Sequence, residues 1–286
     1  MIVPDKAKRP FGDRRRAILL LAAVTAAGLL LRIGLSGYSM WYDEFASVAF
    51  AERPLRLLWS DWMVRETNPP LFYSLLHGWI NAFGHSLVAL RMMPVLLGTI
   101  GIALVAAIAW IASGRRAAVL AGALTAISAQ HVYYSHTVRA YILAFDGVAL
   151  ALFGLVIVIT GERNRRAGLA CYVAGSAIAI YAHTTMFLWL PAAMLGLCAA
   201  AWRDIWVDRG HLFRQLIFAS LLILALSAWW LRITVLQLQV SRGNIEWIAA
   251  LGPADALQLM IQTMFLSRGE SFWPSAVSLL CVFAAV

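Results

Sequence analysis

Charge is scarce in this chain. Asp, Glu, Lys and Arg make up 13% of its 286 residues, about half the share in an average soluble domain, so an ordinary soluble domain is excluded. Cysteine is scarcer: Cys171, Cys198 and Cys281 are too scattered for a metal-site spacing and read as buried thiols inside apolar runs. No stretch alternates apolar and polar residues as an outer-membrane barrel strand does, which leaves helices as the spanning elements. Fixed-period repeats, low-complexity linkers and nucleic-acid motifs are also missing, and no second domain is visible.

Hydrophobic residues account for 62% of the chain and the mean hydropathy is +0.77. Their runs recur along the whole length, which predicts an all-α polytopic membrane protein forming one transmembrane region over residues 1–286. The net charge of +9 would suggest a nucleic-acid partner in a soluble protein. Here the basic residues cluster at 6–16, 115–116, 163–166 and 203–214, each at the end of an apolar run. The positive-inside rule reads such clusters as cytoplasmic ends of spans.

Spans are then expected at residues 17–35, 91–112, 117–128, 140–160, 167–181, 185–202 and 216–236, with a partial eighth at 275–286. The N-terminus is cytoplasmic in this reading. The first span is uncleaved, because Arg32 interrupts its apolar run and no small-x-small site follows; Arg32 is expected to snorkel towards the membrane surface. Residues 71–83 are too short to cross and rich in aromatics, so a helix lying on the membrane surface is expected there. Two outer loops follow from this topology, at 38–86 and 130–139, together with a later outer segment at 237–274 holding an amphipathic stretch at 255–265.

Four polar groups converge on the outer face: Asp43 with Glu44, Asn68, the loop from His131 to Arg139, and His183. A carboxylate pair beside Trp41 and Tyr42 at a membrane exit must find water, a cation or a substrate. Asp43 reads equally well as the N-cap of an interfacial helix and as a catalytic base. His136, Arg139 and Asp146 would share a helix face if the fourth span began early, and an Arg139–Asp146 pair or another packing contact is the expected role of Asp146. His183 reads more readily as a satisfied interface histidine than as a ligand-binding one.

Trp41-Tyr42-Asp43-Glu44, Asn68-Pro69-Pro70-Leu71 with Tyr73, Arg91 with Pro94 and Gly98, Tyr134-Ser135-His136-Thr137-Val138-Arg139-Ala140-Tyr141, and Tyr181-Ala182-His183 together resemble the GT-C membrane glycosyltransferases. The resemblance is to the protein O-mannosyltransferase and aminoarabinose transferase superfamily, including the bacterial glycosyltransferase family 39 members, over residues 17–200. It implies a GT-C helical bundle in the bacterial inner membrane. It further implies transfer of a sugar, with inversion and without a nucleotide sugar, from a polyprenyl-monophosphate donor to a lipid A, glycan, protein or lipid acceptor on the periplasmic face; no cofactor is expected and no metal-ligating residues are named, which leaves open whether a divalent metal assists. By the same resemblance Asp43 is the general base with Glu44 its partner. Arg139, His136 and Asn68 are candidates for the donor phosphate, and Tyr134, His183 and Arg91 are further site candidates.

His136 and Thr137 stand where many bacterial members carry Gln and Glu, and Asn68 stands where relatives often have His or Lys. Family members are longer, so the chain resembles an N-terminal portion, which bears on whether it is active alone. The alternative class is a transporter or lipid flippase without bond chemistry, for which inverted repeats and midplane helix breaks are expected. A third is a structural membrane fragment.

Overall fold

A computed structural model of the protein describes residues 11–160, 164–205, 210–240 and 252, and within them every regular element is helical. The first long helix is α1 (Phe11–Gly34). Short elements follow: α2 (Tyr42–Ala51), α3 (Leu55–Leu58), a 3-10 turn (Asp61–Arg65) and α4 (Leu71–Phe83). Then come α5 (Leu87–Ser113), α6 (Arg115–Ile127), α7 (Ala129–Ser135), α8 (Tyr141–Thr160) and α9 (Arg165–Ala182). A 3-10 turn (Thr184–Leu188) leads into α10 (Trp189–Ile205), and α11 (Gly210–Val240) ends the described helices.

Among the described residues four stretches are long and apolar enough to cross a membrane: Arg14–Gly34, Leu87–Ser113, Tyr141–Thr160 and Leu212–Gln239. They coincide with the first, second, fourth and seventh expected spans. The third falls on α6, whose 13 residues rise only about 20 Å at 1.5 Å per residue. The fifth falls on α9, and the sixth is divided between the second 3-10 turn and α10. Residues 71–83 form a helix with the expected bounds, burying Phe72, Tyr73, Leu76 and Ile80 along one side. Of the later segment and partial span expected beyond residue 236, all but the end of α11 and Gly252 lies outside the described residues.

Side-chain contacts fix the helix directions. α1 runs against α5, since Gly28 lies beside Ile102 and Arg32 beside Gly98. α6 runs with α1, with Gly122 beside Leu21 and Val24 and Ala126 accepting from Arg32. α8 runs with α5, because Arg91 reaches His136 just before α8 and Gly101 faces Asp146 within it. α9 returns against α8 along a seam so close that a Cβ on Gly147 would stand 2.5 Å from the Ala179 nitrogen, and one on Gly168 2.8 Å from the Gly154 oxygen. Only glycine admits that approach. α11 runs with α9, Tyr172 meeting Ser220 and Trp230 meeting Thr184.

These directions sort the termini into two ends. Arg14–Arg16, Arg115, Arg116, Arg165, Arg166 and Arg214 fall at one end; residues 38–44, Arg91, 136–139 and His183 fall at the other. Under the second end lies an apolar core of Met63, Phe72, Tyr73, Leu76, Val138, Leu143, Trp230 and Ile233. Full burial of such side chains contributes about 1.5–3 kcal/mol each, so the loops above it rest on a packed floor.

Candidate functional site

The site begins with the register of α2. Glu44, Ser47 and Ala51 are buried, and their spacing of three and four residues defines one helix face. Asp43 precedes that face by one residue, about 100° around the helix. Two adjacent carboxylates therefore point in different directions and take different partners.

Glu44 is fully enclosed. Its Oε1 accepts from Arg91 at 3.1 Å and from the Val138 backbone N–H at 2.7 Å, and its Oε2 accepts from Arg91 at 3.2 Å and from the Trp41 N–H at 3.1 Å. The last bond is the reach-back half of a capping box. Arg91, equally enclosed, also donates to the carbonyls of Tyr38 and Ser39, each at 3.2 Å, and to that of His136, and lies over the Tyr38 ring at 4.0 Å. One buried ion pair thus joins the first loop, α5 and the second loop.

Asp43 is different. Helix α2 starts at Tyr42 with Trp41 as its N-cap, so Asp43 is not the N-cap that the sequence allowed; the reach-back contact in the cap comes from Glu44. The Asp43 side chain is 39% exposed and lies 3.8 Å from Arg139, whose side chain is 13% exposed. That spacing is an ion pair without a direct hydrogen bond. Arg139 instead donates to the Asp43 carbonyl at 3.3 Å and to Ser47 Oγ at 3.4 Å. A carboxylate and a guanidinium therefore stand side by side, the carboxylate open to solvent and the guanidinium held from behind.

The other predicted residues border this couple to different degrees. Tyr134, Tyr141 and His183 form a row of rings, with centroids 4.9 Å and 5.5 Å apart, and Arg139 lies 5.8 Å over the Tyr141 ring. Burial and then Arg139 hold His183 below its ordinary pKa; its Nδ1 is 2.9 Å from Thr185 Oγ1. His136 is buried and its Nδ1 pairs with the Tyr38 hydroxyl at 2.8 Å. Burial, followed by Arg91 and Arg32, pushes it down to about 4, so it is a neutral ring at neutral pH. Asn68 donates through its backbone and its side chain to Glu66 Oε1, at 3.0 and 2.9 Å.

Glu66 is the residue that sequence reasoning passed over. It also accepts from Tyr73 at 3.0 Å, and its carbonyl accepts from Gln237 of α11, so it fastens the Asn68-Pro69-Pro70 turn to two helices. An acid two residues before Asn-Pro-Pro was the available signal. Ser47, one turn after Asp43, was missed in the same way.

Three expectations on the inner side need correction. α8 starts at Tyr141, so His136 and Arg139 do not share a helix face with Asp146. Arg139 pairs with Asp43, and Asp146 makes no hydrogen bond to any described protein group. Arg32 does not snorkel: it is fully buried and bonded to α6 and α7, because the Ala126 carbonyl, Ser135 and His131 lie within its reach. Cys171 is only half-buried. Among the described residues no cluster of three or more His, Cys, Asp or Glu is placed to hold a metal.

No protein-family model matches the chain, and no curated protein and no solved structure matches it.

Proposed function

We propose that this protein is a membrane glycosyltransferase of the GT-C type, taking a hexose or pentose from a polyprenyl-monophosphate carrier and passing it, with inversion, to a hydroxyl acceptor at the outer face of the bacterial inner membrane. The observation that carries the reading is the Asp43–Arg139 couple, 3.8 Å apart with the carboxylate partly open. The Glu44–Arg91 pair holds its base firmly.

In the proposed reaction Asp43 accepts the acceptor's hydroxyl proton as that oxygen forms its bond to the anomeric carbon. The bond from that carbon to the carrier phosphate oxygen breaks, and the phosphate leaves with the electron pair. Arg139 stabilises the departing charge, since a guanidinium stays ionised and matches phosphate geometry. The two-ended charge distribution supports the orientation: by the positive-inside rule the arginine-rich end lies in the cytoplasm and the Asp43 end outside. Exposed leucines along α1, among them Leu19, Leu20 and Leu30, support contact with lipid.

The test uses the full chain in nanodiscs with a panel of radiolabelled polyprenyl-phosphate hexoses and pentoses. Transfer of label with release of polyprenyl phosphate, together with at least a tenfold weaker carrier Kd in Arg139→Ala, supports the proposal. Movement of carrier across the bilayer without sugar release, or a carrier Kd unchanged by Arg139→Ala, contradicts it.

A further inference from the structure

Glu66 spends only one of its two carboxylate oxygens on the fold. Oε1 accepts from the Asn68 backbone N–H at 3.0 Å, the Asn68 side chain at 2.9 Å and the Tyr73 hydroxyl at 3.0 Å. Oε2 accepts from no described group and is not sealed from solvent, and the residue as a whole is half-buried. An ionised carboxylate only accepts. Oε1 is therefore occupied, and Oε2 is left to meet a donor.

Contacts carry this acid round to the Asp43 couple in a closed circuit. Asp43 stands beside Arg139, Arg139 over the Tyr141 ring, and Tyr141 against His183. Next to His183, Thr184 donates to the Thr67 carbonyl at 2.6 Å, which ties in the turn that holds Glu66. Tyr73, bonded to Glu66, stacks on Phe50 with centroids 5.3 Å apart, and Phe50 belongs to α2, the helix that carries Asp43. The Tyr73 hydroxyl feels both sides: burial raises its pKa well above the ordinary value, Glu66 adds to the rise and Arg139 opposes it. Asp43, Glu66, Arg139, Tyr141 and His183 are each half-buried, whereas Asn68 and Tyr73, which brace them, are buried.

The charges narrow what Oε2 can take. An anion is refused by the carboxylate itself, and a cation is disfavoured by the Arg139 charge close by. A neutral hydroxyl suits both. Tyr141 and His183 add ring surfaces apolar enough to receive the C–H face of a sugar.

We propose that Glu66 is the specificity-determining acid of this site, its Oε2 accepting a ring hydroxyl of a sugar set against Tyr141 and His183. This role rests on the reading of the Asp43 end as a sugar site. Glu66 makes and breaks no bond; it selects. A hydrogen bond to a charged group is worth about tenfold or more in affinity, and a site built to receive a hydroxyl discriminates against the analogue that lacks it.

Glu66→Gln separates this role from the structural one. Its amide oxygen, placed where Oε1 was, still accepts from Asn68 and Tyr73, while its nitrogen, placed where Oε2 was, donates instead of accepting. The thermal midpoint is therefore expected within about 3 °C of wild type. The probes are methyl hexosides and pentosides with their monodeoxy analogues, whose binding to the full chain in nanodiscs is titrated by saturation-transfer NMR. In wild type one monodeoxy analogue should bind at least about tenfold more weakly than its parent, and Glu66→Gln should abolish that difference. Should Glu66→Gln fail to fold, Glu66→Asp, whose shorter stem withdraws the oxygen, serves the same comparison. Absence of glycoside binding in wild type, or the same monodeoxy profile in the variant, overturns the role of Glu66. Transfer from labelled polyprenyl-phosphate sugars, measured on the same samples, reports separately on the reaction. Transfer with an unchanged monodeoxy profile overturns the role of Glu66 alone, whereas glycoside discrimination that depends on Glu66, without transfer from any donor, supports the sugar site and overturns the glycosyltransferase reading.

Discussion

Asp43 and Glu44 are neighbours in sequence, each faces an arginine, and yet the two couples behave as different objects. Glu44–Arg91 is sealed, with side-chain exposures of 0% and 1% at 3.1 Å, and the acid receives four hydrogen bonds. Asp43–Arg139 is looser at 3.8 Å, with the carboxylate 39% exposed. One step along a helix turns a side chain by about 100°, which is enough to seal one carboxylate in the packing and leave the other partly open to solvent. The sealed pair fixes where the open pair stands.

The contrast is broken most severely by Glu44→Ala. That change leaves Arg91 charged in an enclosed site and the Val138 N–H without its acceptor, and removing one partner of a buried pair costs about 3–5 kcal/mol. Thermal unfolding in detergent should show a large drop in midpoint; an unchanged midpoint would mean that Glu44 does not hold the loops together.

A smaller effect is expected from acid. His131 and His136 are both held near 4 against an ordinary 6.5, so between those values the unfolded chain binds protons that the folded chain refuses. Stability is therefore present above about pH 6.5 and lost progressively as pH falls towards 4. His136→Asn should flatten part of the midpoint-versus-pH curve over that window, and a slope identical to wild type would remove His136 from the cause.

For Asp43→Asn the expected change in stability is smaller again. Exposed ion pairs contribute about 0–1 kcal/mol, so its midpoint should stay close to the wild type, and a drop as large as that of Glu44→Ala would erase the distinction between the two acids. At the bottom of the scale stands Asp61–Arg232, whose side chains are 59% and 55% exposed. Asp61→Asn should leave the midpoint within experimental error.

Much of this arrangement was legible in the chain. Apolar runs placed the four long helices to within a few residues, the 13 residues of α4 were readable as too short to cross, and the pattern of basic clusters correctly grouped residues 38–44 with 136–139 and His183. Periodicity could not say which of Asp43 and Glu44 turns inward, because the start of α2 is set by loop contacts rather than by an apolar stripe. Arg32 and His131 are 99 residues apart, and Asp146 lies on yet another helix. Hydropathy records that a polar residue is present in an apolar run but not what it meets, so snorkelling and an Arg139–Asp146 pair were reasonable expectations that packing overturned. Glu66 was hidden for the same reason: in sequence it is one loop acid among several, and only the fold brings Asn68, Tyr73 and Gln237 to it.

The most direct measurement compares wild type with Asp43→Asn for transfer of labelled sugar from a polyprenyl-phosphate donor in nanodiscs, with carrier binding recorded on the same samples. Loss of a general base is worth about 10²–10⁴ in rate. A fall of that size with carrier affinity retained is the predicted result; turnover by Asp43→Asn at the wild-type rate would contradict the assignment of Asp43 as the base.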